Sequence, residues 1–488
     1  MAFLLQGDDV LHQVNPTPLP NPYWVGFSAS AAKLIGIPLG QDQYPKDPDW
    51  LEVLAGNRLS LGSHHFDNPI ATAYSGHQFG VWAGPLGDGR AILLGDIHGQ
   101  ELQLKGAGKT RYSRMGDGRA VLRSSIREFL CSEAMHGLGI PTSRALAVVG
   151  SNQAVRREEI ETAAVCTRLA PSFIRIGHFE HYAALQKLDR LKELADYLMD
   201  AFYPECKSHA DPYLDLFKAI SARSAHLVAQ WQAVGFCHGV LNTDNISALG
   251  LTIDYGPFGF LDQFQIDHIC NHSDTGGRYA YHRQPQIMHW NMACLASAMC
   301  PLLELQHSSE AAQTLLRTAL EEFPRIYATR WQSLFRDKLG FKTQQQEDIG
   351  LIERLLQAMH DARVDFTYFF RALAQYDSIN LRPPKEARDL FNNLTVIDTW
   401  FAEYGRRLQS ENSLDEQRKA FMNTCNPKFI LRNHLAQDAI EKAQAQDYSE
   451  VSKLLSILEH PFDEQEDHEA YAKPPSIEHR AVEVSCSS

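Results

Sequence analysis

The chain lacks an excess of positive charge, paired cysteines and long apolar runs, and each lack excludes a class of protein. Its 488 residues carry 46 Lys and Arg against 59 Asp and Glu, a formal net charge of −13. That balance argues against a nucleic-acid backbone or an anionic membrane as the main partner. The nine cysteines (131, 166, 206, 237, 270, 294, 300, 425 and 486) are scattered with no Cys-x-x-Cys pair. Neither a disulfide framework nor a zinc ribbon is expected, and the pattern fits a reducing compartment. No apolar stretch approaches the roughly 20 residues that span a bilayer. Met1–Leu5 is apolar, but no basic residue precedes it and Asp8 and Asp9 follow at once, so it fails as a signal peptide. A cytoplasmic protein is expected. Apolar residues make up 44%, enough to bury a large core without metals or disulfides.

The chain to about residue 118 is rich in Gly and Pro, with short apolar runs. Ala91–Leu94 and Leu102–Leu104 read as strands joined through Asp96–Gln100. A helix is predicted from about Arg119 to Leu138, stopped by Gly137, Gly139 and Pro141. Residues 145–169 read as two strands around a turn near Gly150-Ser151-Asn152. Helices are predicted at 183–203, 212–235, 288–305, 309–337, 347–376 and 384–409, interrupted by a strand-like island at 240–262. The acidic, Pro-containing tail after Glu459 is expected to pack loosely. The resulting fold class is α+β, in the order of a protein-kinase-like two-lobed fold. A strand-rich nucleotide-binding lobe is expected at 1–180, a helical lobe with the catalytic loop at 181–380, and a helical extension with the tail at 381–488.

Several segments carry chemistry-bearing residues. Gly80–Arg90 is glycine-rich, which suits either a hairpin turn or a phosphate-cradling loop. Lys105 ends a strand, where kinases place a phosphate-binding lysine oriented by a glutamate from the following helix. That helix offers Glu128 and Glu133. Leu122, Ile126, Phe129 and Leu130 form its apolar face, Glu133 falls on it and Glu128 opposite, so periodicity favours Glu133. Five arginines lie between 111 and 127, with Arg119, Arg123 and Arg127 striping one side at helical spacing. A solvated face is the ordinary reading of such a stripe, and a polyphosphate site the sharper one. His268, Cys270 and His272 alternate like metal ligands, but no fourth stands at a standard spacing. His64-His65 and the segment around His77 read as structural.

The most specific stretch is His238-Gly239-Val240-Leu241-Asn242-Thr243-Asp244-Asn245, followed by Asp254-Tyr255-Gly256. Kinases use His-Arg-Asp-x-x-x-x-Asn and Asp-Phe-Gly, in which Asn and the second Asp hold metal. His238 and Asn245 keep that separation, and Asn245 with Asp254 are hard oxygen ligands suited to Mg²⁺ or Mn²⁺. The kinase base position is Val240, which accepts no proton. Asp244 is an extra carboxylate beside the metal position and a candidate replacement base.

These residues, together with Tyr74–Gly80, Leu86–Arg90, Leu104–Gly108, Ser113–Arg123 and Asp254–Phe260, resemble the selenoprotein O or YdiU family over nearly the whole chain. The resemblance implies a kinase-like fold that binds ATP in a flipped orientation and transfers AMP to Ser, Thr or Tyr hydroxyls of proteins; UMP transfer with Mn²⁺ is also attributed to some members. By resemblance, Asp244 is the proton acceptor, and Asn245 and Asp254 are the Mg²⁺ or Mn²⁺ ligands. Gly87, Gly89, Arg90, Lys105, Asp117, Gly118, Arg168, Arg175 and Asp254 are the ATP contacts. For the partner of Lys105 the resemblance points to Glu128, against the helical wheel, and leaves Glu133 as the alternative. It also links a tail cysteine to redox control, which would make Cys270–Cys486 an intramolecular pair. Thr110-Arg111-Tyr112 departs from the Thr-Pro-Tyr of many relatives, which bears on binding strength more than on reaction type.

The expected activity is therefore protein adenylylation from ATP with release of pyrophosphate, with protein substrates and no nucleic acid or membrane as partners. A non-catalytic, ATP-binding pseudokinase switch is the alternative of a different class.

Overall fold

The computed structural model describes residues 11–475, so the first ten residues and the tail carrying Cys486 lie outside it. Its N-terminal part is built on one antiparallel sheet. The strand order is Leu11–Gln13, Ile70–Thr72, Ala91–Ile97, Gln100–Lys105, Ile160–Ala170, Arg144–Arg156 and Tyr23–Phe27, with Ala120–Val121 added beside Ile160–Ala170. The two strands expected around Asp96–Gln100 form a tight hairpin that pairs Ala91 with Lys105 and Ile97 with Gln100. Its two loop residues, His98 and Gly99, both have positive φ, the twist-matched geometry of a two-residue hairpin.

The second expected hairpin differs from the sequence reading. Gly150-Ser151-Asn152 is no turn; the strand continues through it to Arg156 with a register shift between Gly150 and Ala154. A bulge absorbs the turn-forming residues without reversing the chain.

The helix after the sheet runs Leu122–Gly137 and is buried on every side, with Arg127, Glu128 and Glu133 in its interior. One flank packs on the sheet, and the other meets two helices that periodicity did not identify, Asn433–Gln444 and Ser449–Leu458. Contact is close at the end: a Cβ on Gly137 would lie 2.2 Å from the Leu458 carbonyl oxygen. Tyr23 stacks on Tyr448 at 5.6 Å, and Ser30 donates to Glu459 at 2.6 Å. The chain just past Glu459 is correspondingly ordered against the body. Lys428 and Arg371 reach Glu464, and Ala472 is buried with Phe429 and Ile457. The loose packing expected from its composition fails up to residue 475 because these basic residues neutralise its acids.

The rest is helical. Four of the predicted long helices are each broken in two: Ile176–Ala184 and Leu188–Phe202, Ser309–Leu320 and Glu322–Leu339, Asp348–Ala362 and Phe366–Leu373, and Lys385–Arg388 and Leu394–Ser410. Apolar periodicity continues across such corners because both pieces face the same core, so it does not report the break. Pro212–Val234 ends at Gly235 in the left-handed conformation. The chain then forms Phe236–Cys237, which pairs with Gly259–Phe260. The strand-like island is thus a two-residue ladder closing a loop, and residues 238–258 project from it toward the sheet.

Candidate functional site

A cleft of about 680 Å³ lies between the sheet and that loop. Sequence separations of up to 165 residues are closed among the expected site residues that meet here: Gly89, Arg90, Lys105, Asp117, Gly118, Arg168, Arg175, Asp244, Asn245 and Asp254 all line it, as does Val240. Gly87 and Glu128 do not. Gly87 stands behind the wall at φ +152°, where a Cβ would come within 2.4 Å of the Tyr112 ring. Its need for glycine comes from packing. Glu128 lies one layer deeper, under Lys105.

The sheet side of the cleft holds a buried charge network. Lys105 Nζ is 2.5 Å from Glu128 Oε2, and Arg168 Nε is 2.6 Å from Glu128 Oε1. Arg168 extends to Asp254 Oδ1 at 2.9 Å, and Arg175 pairs with Asp254 Oδ2 while donating to the Asp244 carbonyl at 2.8 Å. Three cations therefore share two carboxylates. Burial pushes the Lys105 amine down to about 8, aided by Arg168 and opposed by Glu128, so it remains protonated at pH 7. Burial raises the carboxyls of Glu128 and Asp254, but the surrounding cations outweigh it and hold both below the usual range. Arg90 adds a fourth cation with no ion pair or side-chain hydrogen bond among the described residues.

The choice between the two glutamates is decided by geometry. Glu133 is fully engaged elsewhere: it accepts from Arg144 at 2.6 and 2.9 Å, from Ser28 Oγ at 2.6 Å and from the Ala145 amide at 3.0 Å. Glu128 is the partner of Lys105. The wheel argument fails because the helix has no solvated face, so both glutamates are buried and each is neutralised on its own side.

The loop side is ordered from below. His238 is buried, stacks on Trp231 at 5.4 Å and aligns its Nε2 with the Ile253 carbonyl at 2.9 Å. Asn245 donates its amide nitrogen to Val240 O at 3.1 Å, which leaves its oxygen as an acceptor. Asp254 sits at φ +59°, a strained conformation for a residue with a side chain, held by the two arginines. Asp244 accepts from Gln78 at 3.2 Å through one carboxylate oxygen, while Oδ1 is buried with no hydrogen-bond partner. Burial pushes its carboxyl up to about 6, with Gln78 and Arg175 opposing.

Only the first half of the Gly-rich segment is hairpin: Ser75–Gln78 pairs with Val81–Pro85 around a turn at Phe79-Gly80, laid against the loop, while Asp88–Arg90 line the cleft. Gly76 permits the approach: a Cβ there would lie 2.7 Å from Thr243 Oγ1 and 3.0 Å from Asp244 Oδ1. The expected arginine stripe disperses, because the helix starts only at Leu122. Arg119 holds the Thr17 and Pro18 carbonyls, Arg123 pairs with Glu161, and Arg127 donates to Phe258 O.

Sequence reasoning missed several cleft residues. Arg157 clamps Asp117 through two contacts of 2.9 Å, which fixes the Gly116–Gly118 turn at the cleft wall. Asp88 accepts from Thr72 twice, at 2.9 and 2.7 Å, and Tyr74 lies under Arg175 at 5.0 Å. A signal existed for Asp88 alone, which lies inside the Gly-Asp-Gly turn.

The cleft wall formed by Asn245, Asp254 and Asp244 is a set of hard oxygen donors, and the orphaned Asp244 oxygen shows spare acceptor capacity. Such a set fits Mg²⁺ or Mn²⁺. Among the described residues, a second convergent group is His77, Glu180 and Cys294, with ligand atoms within 4.8 Å of one another. His77 there is already bound to Glu180 at 2.6 Å.

A cleft lined by clustered cations beside oxygen ligands belongs to enzymes that handle phosphorylated substrates. The chain belongs to the family described as protein adenylyltransferase SelO, whose signature matches residues 2–459, and it is an enzyme of the nucleotidyltransferase class. It is 52% identical to "Protein nucleotidyltransferase YdiU" of Burkholderia ambifaria strain MC40-6, over 100% of this chain and 95% of that protein. The proteins of the same description from Burkholderia multivorans and Burkholderia vietnamiensis are 52% and 51% identical over the same shares. No helix among the described residues is long and apolar enough to cross a membrane.

Proposed function

We propose that this cleft binds ATP in the reversed pose of a kinase-like site and transfers AMP to a Ser, Thr or Tyr hydroxyl of a protein. The observation that carries this reading is the pair Val240 and Asp244. The kinase base position holds an alkyl side chain, while four residues further on a buried carboxylate has a free oxygen and a carboxyl poised near 6. The attacking hydroxyl gives its proton to Asp244, its oxygen forms a bond to the α-phosphorus, the α–β phosphoanhydride breaks, and pyrophosphate leaves. Asn245 and Asp254 would hold Mg²⁺ or Mn²⁺, which when bound supplies charge neutralisation at the reacting phosphate.

The reversed pose is supported by where the cations are. Arg90, which has no ion pair among the described residues, and Lys105, Arg168 and Arg175, which share only two carboxylates, supply the positive charge for the β- and γ-phosphates on the sheet side of the cleft. Asp117 and Gly118, pinned by Arg157, and Gly89 shape the wall around them. Glu128 keeps Lys105 aimed at the cleft. The same reading divides the chain into a nucleotide-binding lobe at 1–180, a helical lobe with the metal residues at 181–380, and an extension at 381–488 that braces the Glu128 helix. UTP with Mn²⁺ is a second donor for the same chemistry. A cytoplasmic location and the redox pair Cys270–Cys486 belong to this reading too; Cys486 lies outside the described residues.

ATP labelled at the α-phosphate and, separately, at the γ-phosphate tests it. Protein-bound label from the α-position alone is expected, lost on Asp254→Ala; label from the γ-position alone overturns the proposal.

A further inference from the structure

Beyond the nucleotide cleft, the hairpin that carries Gln78 covers an arginine with no carboxylate partner among the described residues. Arg278 lies with its guanidinium 4.7 Å over the Trp290 ring, and an ideal Cβ on Gly80 would lie 2.9 Å from its Cζ. Its Nε and Nη2 are shielded from solvent and hydrogen-bond to nothing, and no carboxylate stands within ion-pair distance among the described residues. The nearby acids face other groups, with Glu180 Oε2 itself left without a hydrogen-bond partner. Asp274 accepts from the backbone amides of Arg278 and Tyr279 at 3.0 and 2.7 Å, and Glu180 is held by His77 at 2.6 Å. Two guanidinium N–H groups held from water without an acceptor cost the free protein stability, and an anion is what relieves the cost. Stacking on an indole also holds the planar fork ready for a carboxylate or phosphate.

Position says which anion. Arg278 is not part of the wall around Arg90 and Lys105, so the phosphates of a cleft-bound nucleotide are served without it. It sits under Gly80, two residues from Gln78, whose amide touches Asp244. Phe79 and Gly80 form the turn of that hairpin, which keeps its flanking residues within about 7 Å, the reach of a neighbouring side chain in a bound polypeptide. Around it the hairpin exposes Phe79, Val81 and Trp82, of which Val81 is 70% exposed. An apolar rim with one under-satisfied cation suits a peptide strand that carries a single negative charge.

We propose that Arg278 recognises a carboxylate or phosphate side chain on the acceptor polypeptide, flanking the hydroxyl that receives the nucleotide. The inference rests on the reading of Asp244 as the acceptor's base. It names acidic or previously phosphorylated segments as the substrate class of that site.

The test uses the full chain and four fluorescent peptides of one sequence, with a central Ser, Thr or Tyr flanked by Gln, Glu, phosphoserine or Lys. Anisotropy measures binding without nucleotide, and AMP transfer is measured on the same peptides. The wild type is expected to bind the Glu or phosphoserine peptide about tenfold more tightly than the Gln peptide, a difference of one charge-assisted contact. Whichever of the two is preferred distinguishes a carboxylate from a phosphate ligand. Free phosphoserine should compete on the wild-type protein, an arm that needs no variant. Arg278→Gln should erase the preference with KM for ATP unchanged, and Arg278→Glu should transfer it to a Lys-flanked peptide. Equal binding by the wild type, a preference that survives Arg278→Gln, or a several-fold rise in KM for ATP overturns the proposal. Binding preference without any AMP transfer would refute the proposed reaction and leave the anion site standing; transfer without preference would do the reverse.

Discussion

Asp244 and Asp254 face one cleft from one loop, and their surroundings drive their carboxyls in opposite directions. Both are buried, which raises both; Arg175, Arg168 and Lys105 overcome this at Asp254 and hold it ionised, whereas Asp244 has only Gln78 and a more distant Arg175 and is left at about 6. Separation of two like groups by environment is how a site assigns one as a permanent anion and the other as a proton acceptor.

The first prediction concerns pH. A base must be deprotonated to act, so kcat/KM for AMP transfer should rise through about pH 6 and level above it. Asp244→Asn should remove this limb and lower the rate by about 10²–10⁴. The linkage sign runs the other way for stability: a raised folded value means the ionised form is disfavoured above the unfolded value near 4. Asp244→Asn should therefore melt higher than the wild type at pH 7 to 8. A variant that melts lower there, or a flat pH profile in the wild type, contradicts the assignment.

Arginines of the cleft should divide into two kinds. Arg168 neutralises both Glu128 and Asp254, and its removal leaves two buried carboxylates short of a partner. Arg168→Ala should cost about 3–5 kcal/mol of stability, the usual effect of breaking a buried pair. Arg90 has no such duty, so Arg90→Ala should keep the melting temperature within a few degrees and raise KM for ATP by about tenfold or more. Chemical denaturation beside ATP titration separates the two outcomes.

Glu128 and Glu133 should separate in the same way. Glu133→Ala strands Arg144 and Ser28 and should lower stability by about 3–5 kcal/mol, with kcat/KM per folded molecule changed little. Glu128→Gln should lower kcat/KM through a misplaced Lys105. A double-mutant cycle of Glu128 with Lys105 should show coupling, and one of Glu133 with Lys105 none.

Lys338 is buried over the rings of Phe366 and Phe370, at 5.2 and 4.2 Å, and burial pushes its amine down to about 7. Below pH 7 it is charged in both states and its desolvation opposes folding in full. From pH 7 toward 10 the folded amine is neutral while the unfolded chain stays charged, and the penalty fades. Lys338→Met should raise the melting temperature, most at pH 6 and least near pH 10. A gain that does not change with pH would show that apolar packing, not charge, governs the site.

Gly137→Ala places a Cβ against the Leu458 carbonyl and should cost about 1–3 kcal/mol as the C-terminal helices are pushed from the Glu128 helix. Hydrogen exchange of Leu122–Gly137 should rise in the variant. Unchanged protection there would mean that the C-terminal helices do not brace it.

Local patterns in the chain suffice for the α+β class, the Ala91–Lys105 hairpin, the helix that follows, and the spacing of His238, Asn245 and Asp254, because each depends on residues close together in sequence. Helix breaks, the Gly150 bulge and the ordered segment after Glu459 were hidden, since what bends or orders them is a neighbour from another part of the chain. Only tertiary packing chose Glu128 over Glu133, recruited Arg157 to Asp117, dispersed the arginine stripe and left Arg278 without a carboxylate among the described residues. A side chain's charge is written in the sequence; how far burial opposes that charge, and which distant group answers it, exists only once the chain has folded.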